Sequence, residues 1–190
     1  TFIGDDENTP LHQKVAQTLS ELKKKGIAIY FLHGNRDFLL GKTFAQQSQM
    51  TLIPDPTIIN LYGKPTLLIH GDTLCTRDIH YLTFRKRAQN PFLQKLFLML
   101  PIKTRRLLAA KTRELSQIHT KKSALSILDV TPEAILPFMK KHAVHQLIHG
   151  HTHQPGLDYF YQNNNIFTRI TLGDWGGMGH FLSYYEDGRY

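Results

Sequence analysis

Three short apolar runs each stop at a glycine flanked by histidine, asparagine or aspartate. This repeated punctuation constrains the fold more than any other feature of the chain. Ile27 to Leu32 ends in His33-Gly34-Asn35-Arg36-Asp37, Pro65 to Ile69 in His70-Gly71-Asp72, and Val144 to Ile148 in His149-Gly150-His151-Thr152-His153. Continuous apolar runs of this length suit strands buried on both faces. In open α/β sheets, ligands bind outside the carboxyl ends of the strands, so three such ends can bring Asn35, His70, His151 and His153 together. Glycine there lets backbone approach closely and turn unusually. Imidazole and carboxamide donors without thiolate suit Mn, Fe, Ni or Zn. An extended His151-Thr152-His153 backbone sends both rings to one side, where two neighbouring metals each take one.

The rest of the chain reads as one domain with mixed elements. At 190 residues and 41% hydrophobic it can bury a single core. Thr9 suits an N-cap, Pro10 the first helical position and Gly26 the helix end, with Leu11, Val15, Leu19 and Leu22 on one face. Phe38 to Gln47 reads as helix, Thr51 to Ile53 and Thr57 to Tyr62 as short strands, and Thr131-Pro132 as the start of a helix ending near His142. The tail alternates as β-structure over Leu157 to Tyr161, Ile166 to Leu172 and His180 to Glu186, with a turn at Asn163-Asn164-Asn165. The single cysteine, Cys75, excludes a disulfide framework and a cysteine-based zinc site, points to a reducing compartment, and reads as a small packed residue. No apolar run approaches the roughly 20 residues of a membrane span. Thr1-Phe2-Ile3-Gly4 lacks an initiator Met and a secretory signal, so an N-terminal truncation is expected.

Charge and histidine lie in different places. The net charge is +8, yet from Arg77 to Lys122 twelve basic residues face only Asp78 and Glu114. We therefore expect a near-neutral core, residues 1–76 and 129–190, and a basic helical insert, residues 77–128, broken near Pro91 and Pro101. Such a charge favours anionic partners. Phe92, Leu93, Leu96, Phe97, Leu98, Met99 and Leu100 are interleaved with the cations. That pattern suits an amphiphile with acyl chains and a phosphate head and equally suits RNA. Arg36 reads as a phosphate binder, and Asp37 as either a helix cap or a partner of Arg36. His33 and His149 read as supporting groups, and Asp5-Asp6-Glu7 as a solvated acidic turn. Gly173-Asp174-Trp175-Gly176 reads as a strand-closing turn.

The ordered motifs Gly34-Asn35-Arg36-Asp37, His70 and Gly150-His151-Thr152-His153 resemble those of the calcineurin-like metallophosphoesterases. Ile3-Gly4-Asp5-Asp6, the runs His33 to Gly41, His70 to Thr76 and Leu147 to His153, and the basic insert are similar to the branch acting on UDP-2,3-diacylglucosamine. The resemblance runs from Ile3 to about Trp175. It implies an α/β fold, a metallophosphoesterase β-sandwich flanked by helices, with an inserted helical cap and the first strand missing. Two Mn²⁺ per intact enzyme are implied. Asn35, His70 and His151 carry over to one metal and only His153 to the other. The family's Asp-x-His strand and bridging Asp do not occur in these residues, so one site is expected to be largely lost and the 190-residue chain close to inactive. Substrate contacts carry over to Asn35, Arg36, Asp78, Ser116 and His151. Thr120 and Ser123, with Lys122 alongside, stand where the family has Asn and Lys.

The implied reaction is hydrolysis of the pyrophosphate of UDP-2,3-diacylglucosamine to 2,3-diacylglucosamine 1-phosphate and UMP, in lipid A synthesis. Attack falls on the α-phosphorus, and Arg36 stabilises developing charge. A peripheral place on the cytoplasmic face of the inner membrane of a Gram-negative bacterium follows, with no nucleic acid as partner. The rival expectations are a metallophosphoesterase for another phosphodiester, as in a nuclease, and a non-catalytic remnant binding anionic lipid or nucleic acid.

Overall fold

A computed structural model describes residues 1–122, 125–176 and 179–190. In chain order the first elements are α1 (Pro10–Lys24), β1 (Tyr30–Leu32), α2 (Lys42–Ser48) and β2 (Thr51–Ile53). The hairpin strands β3 (Thr57–Leu61) and β4 (Lys64–Ile69) follow, then α3 (Ile79–Ala88), α4 (Pro91–Leu98) and α5 (Ile102–Lys122). Last come α6 (Leu125–Leu128), α7 (Pro132–Lys141), β5 (Gln146–His149), β6 (Gly156–Gln162) and β7 (Asn165–Thr171). The chain forms two compact units. One joins Thr1–Pro54 to the helices from His80 through α5; the other joins Asp55–Ile79 to the chain after α5.

The first unit packs α1 and α2 beside the parallel pair β1–β2 around Phe2, Ala16, Leu40, Phe44, Ala45 and Met50. Thr9 caps α1, its hydroxyl accepting the His12 N–H at 3.2 Å. Gly26, at φ +88°, closes the helix: Ile27 N–H returns to the Leu22 carbonyl and Gly26 N–H to that of Lys23, the bond pattern of a left-handed helix exit. The Ile27 N–H is spent on that exit, and β2 begins only at Thr51, opposite Tyr30, so β1 is shorter than the apolar run. Helix α2 also starts later than its pattern suggests. Asp5, 36 residues upstream of Gly41, accepts the Gly41 N–H at 2.7 Å and the Thr43 N–H at 2.8 Å, which supplies the cap from outside.

The acidic turn is thus not simply solvated. Asp6 forms a two-pronged ion pair with Arg105 of α5, a guanidinium only 2% exposed that also donates to the carbonyls of Ile3 and Leu100. Glu7 pairs with Arg106 at 2.9 Å. The first residues of α5 are thereby latched to the turn at Gly4–Glu7.

The second unit is built on a five-stranded mixed sheet, β3-β4-β5-β7-β6. Its centre is parallel: Ile69 stands opposite His149, and His149 opposite Thr171. Leu67, Leu147 and Met139 of α7 have no exposed surface and centre a core with Ile69, Leu74, Ile135, Val144 and Phe167. Burying each such side chain stabilises by about 1.5–3 kcal/mol. The outer strands β3 and β6 are antiparallel additions, β6–β7 turning at Asn163 and Asn164, both at positive φ. Among the described residues His180 to Glu186 forms no strand. Its rings stack instead, Tyr184 on Tyr62 and Tyr190, and its backbone bonds are local, between Tyr185, Gly188 and Arg189.

Candidate metal centre

Three strands of the second unit, β4, β5 and β7, end at one level, and the turns beyond them carry the histidines. His70 follows β4 and His151 follows β5 by one glycine, so the parallel register places both at the same end of the sheet. The Gly150 N–H donates to the His70 carbonyl at 3.0 Å, which ties the two turns together. The rings meet edge to face with centroids 5.0 Å apart, and Nδ1 of His151 stands 3.3 Å from Nε2 of His70. Two nitrogens on one cation at about 2.0–2.1 Å in tetrahedral geometry lie about 3.3 Å apart. Borderline donors at that separation fit a divalent cation.

His153 sits elsewhere. An extended His-Thr-His segment was expected, but His151 and His153 both hold left-handed backbone, at φ 69° and 58°. Successive side chains therefore do not alternate, and His153 turns to Asp174, with Nδ1 3.5 Å from Oδ2. A carboxylate on the far ring nitrogen is the usual support of a metal-bound imidazole. Asp174 belongs to the turn read from sequence as strand-closing; the signal available was its place just beyond β7, the neighbour of β5. Among the described residues no group of three or more His, Cys, Asp or Glu side chains converges on one point.

His149 is 1% exposed, between the Gly150 carbonyl at 2.9 Å and the Thr171 hydroxyl at 3.3 Å. Burial, and then the charge of Arg169, push its pKa down to about 4, so the ring is neutral. Cys75 is buried and its Sγ–H donates to the Leu128 carbonyl; burial, with nearby Asp72, pushes the thiol up to about 12. A thiol held protonated is no nucleophile, in line with its reading as a packed residue. Asp78 is 5% exposed in the same unit.

In the first unit Asn35 is half-buried and lines a small cleft with Phe38, Tyr81, Phe84 and Arg85. Arg36 is exposed, its carbonyl accepting the Phe2 N–H. Asp37 neither caps α2 nor meets Arg36: its carboxylate accepts the Gly34 N–H, closing its own loop. His33 donates from Nε2 to the Leu40 carbonyl, a supporting contact. Ser116 and Thr120 are exposed on α5 one turn apart, the Thr120 hydroxyl donating to the Ser116 carbonyl at 2.9 Å. Ser123 and the side chain of Lys122 lie outside the described residues.

Residues 1–155 match the family model described as calcineurin-like phosphoesterase, a class of metal-dependent hydrolases. Relatives narrow this. The chain is 46% identical over 181 residues to a UDP-2,3-diacylglucosamine hydrolase of Pectobacterium carotovorum, covering 95% of this chain and 75% of the relative. It is 44% identical over 187 residues to the enzyme of that name in Enterobacter sp., covering 98% and 78%, and over 186 residues to that of Shigella dysenteriae, with the same coverage. The chain belongs to the calcineurin-like phosphoesterases, in their UDP-2,3-diacylglucosamine hydrolase family.

Proposed function

We propose that this chain, together with the Asp-x-His strand and bridging Asp that the family resemblance implies, hydrolyses the pyrophosphate of UDP-2,3-diacylglucosamine, giving 2,3-diacylglucosamine 1-phosphate and UMP in lipid A synthesis. One observation carries the proposal: the convergence of His70 and His151 at adjacent strand ends, in a chain 44–46% identical to hydrolases named for that substrate. His70 and His151 hold one divalent cation through imidazole nitrogen; the family resemblance assigns Asn35 to the same metal. His153, oriented by Asp174, holds a second. Mn²⁺ is the cation we assign, two per active enzyme. When bound, such cations act as Lewis acids on phosphoryl oxygens and activate water.

The remaining roles belong to the chain. The exposed guanidinium of Arg36 binds the phosphoryl oxygens and strengthens its bonds as charge builds on them. Asp78, Ser116, Thr120, Lys122 and Ser123 bind the polar part of the substrate. Phe92, Leu93, Leu96, Met99 and Leu100 are exposed among lysines and arginines, which supports acyl-chain binding and a peripheral place on the cytoplasmic face of the inner membrane. No helix of the described residues is long and apolar enough to cross a membrane.

The test is UMP release from UDP-2,3-diacylglucosamine with Mn²⁺, in water labelled with ¹⁸O. Label in UMP supports attack on the α-phosphorus. Label in the sugar phosphate overturns it, and hydrolysis of unrelated phosphodiesters without UMP release overturns the substrate assignment.

A further inference from the structure

We propose that His149 is a positioning residue for the metal centre: held between Thr171 and the Gly150 carbonyl, its ring sets the turns that present His70 and His151. The inference rests on reading that pair as metal ligands. Gly150 O only accepts, so the contact places a proton on Nδ1, which donates to it at 2.9 Å. Nε2 then carries the lone pair and accepts the Thr171 hydroxyl at 3.3 Å. One tautomer and one ring orientation satisfy both bonds.

The Gly150 carbonyl belongs to the peptide whose nitrogen is that of His151. Fixing that carbonyl therefore fixes the plane from which His151 departs at φ 69°. A non-glycine residue in that region costs on the order of 1 kcal/mol and persists only where its surroundings enforce it. Here the enforcement comes from the His149 ring and from the Thr152 N–H, which also donates to Gly150 O, at 2.9 Å. The His70 turn is shaped by the same ring. Gly71 stands at φ +115°, and a Cβ there would meet His149 Nδ1 at 2.8 Å and Gly150 O at 3.1 Å. On the other side the His149 carbonyl accepts the Leu172 N–H at 2.7 Å, so β7, which carries Thr171, is held against the ring.

The experiment compares this chain with Thr171→Val, Thr171→Ser, His149→Phe and His70→Ala. Mn²⁺ affinity is read from the free-ion electron paramagnetic resonance signal, coordination from the visible spectrum with Co²⁺, and stability from thermal melting. Thr171→Val is nearly isosteric and removes only the hydroxyl that orients Nε2. We expect it to lose about 10- to 100-fold in Mn²⁺ affinity and to alter the Co²⁺ spectrum, with Thr171→Ser restoring both. His149→Phe should lose at least as much. A Thr171→Val chain that melts lower but keeps its Mn²⁺ affinity and Co²⁺ spectrum overturns the inference, leaving His149 a packing residue. Unchanged Mn²⁺ affinity in His70→Ala overturns the ligand reading itself.

Discussion

Around His149 both ring nitrogens have partners and the side chain is 1% exposed; on α4 and the turn after it, Phe92 and Met99 stand 68% and 74% exposed. The strand-end turns are specified by individual hydrogen bonds, two left-handed histidines and a glycine that no other residue replaces without a clash. The α4–α5 segment is specified mainly by composition, with apolar side chains in water beside cations. Position matters in the first region and aggregate surface in the second. An exposed apolar side chain has about 0.8 kcal/mol per methylene to gain from a partner, whereas a buried, fully bonded ring has nothing to gain and much to lose.

If that contrast is right, the largest effect comes from the ligands. In a chain that also carries the family's Asp-x-His strand and bridging Asp, His151→Ala or Asn35→Ala should lower UMP release by about 10³-fold, beyond the 10–100-fold typical of outer supports, with little change in melting temperature. Near-normal turnover in either variant removes that residue from the site. Next comes the core beneath the turns: Leu147→Ala should cost about 2–5 kcal/mol of stability, read from urea unfolding.

Within the helical segment, Arg105 behaves like the strand ends. Asp6→Asn leaves that guanidinium with half its partners; because Asp6 itself is 60% exposed, solvent offsets part of the loss and about 1–2 kcal/mol is expected. The hydrogen bond from Arg105 holds the Asp6 carboxyl below its usual range. The stabilisation is therefore complete above the ordinary carboxylate value of about 3.9 and fades as pH falls through the lowered native value. Urea midpoints of the two chains should converge in acid, and a gap independent of pH would disconnect the ion pair from stability. The smallest stability effect is expected for Phe92→Ser with Leu100→Ser, within about 0.5 kcal/mol. That variant should bind the diacyl substrate more weakly while leaving a short water-soluble phosphodiester unaffected. Tight, salt-sensitive RNA binding that ignores both substitutions would instead favour a nucleic-acid role for the cations.

What the sequence made legible was local. Thr9, Pro10 and Gly26 announced α1 because cap and exit chemistry lie within a few residues. The Asn163–Asn165 turn and the His-Gly ends of β4 and β5 were readable for the same reason. The pairing of His70 with His151 followed from placing two parallel strand ends side by side. What escaped was set by distant partners. Asp5 caps a helix 36 residues away, and Arg105 hides in a run of cations while itself being buried. The left-handed turns at His151 and His153 depend on Gly150 O and its donors, which no spacing rule encodes. The tail from His180 alternates like a strand, but its tyrosines found rings to stack on instead.

The latch between Arg105 and Asp6 also orders events on the ribosome. Its halves are 99 residues apart in the chain, so at about 5–20 residues per second Asp6 emerges roughly 5–20 s before its partner exists. Each unit is likewise assembled from two stretches, with part of one made between the halves of the other. The nascent chain therefore waits with α1, β1, α2 and β2 already made until α5 is synthesised. Slowing translation within α4 lengthens that interval.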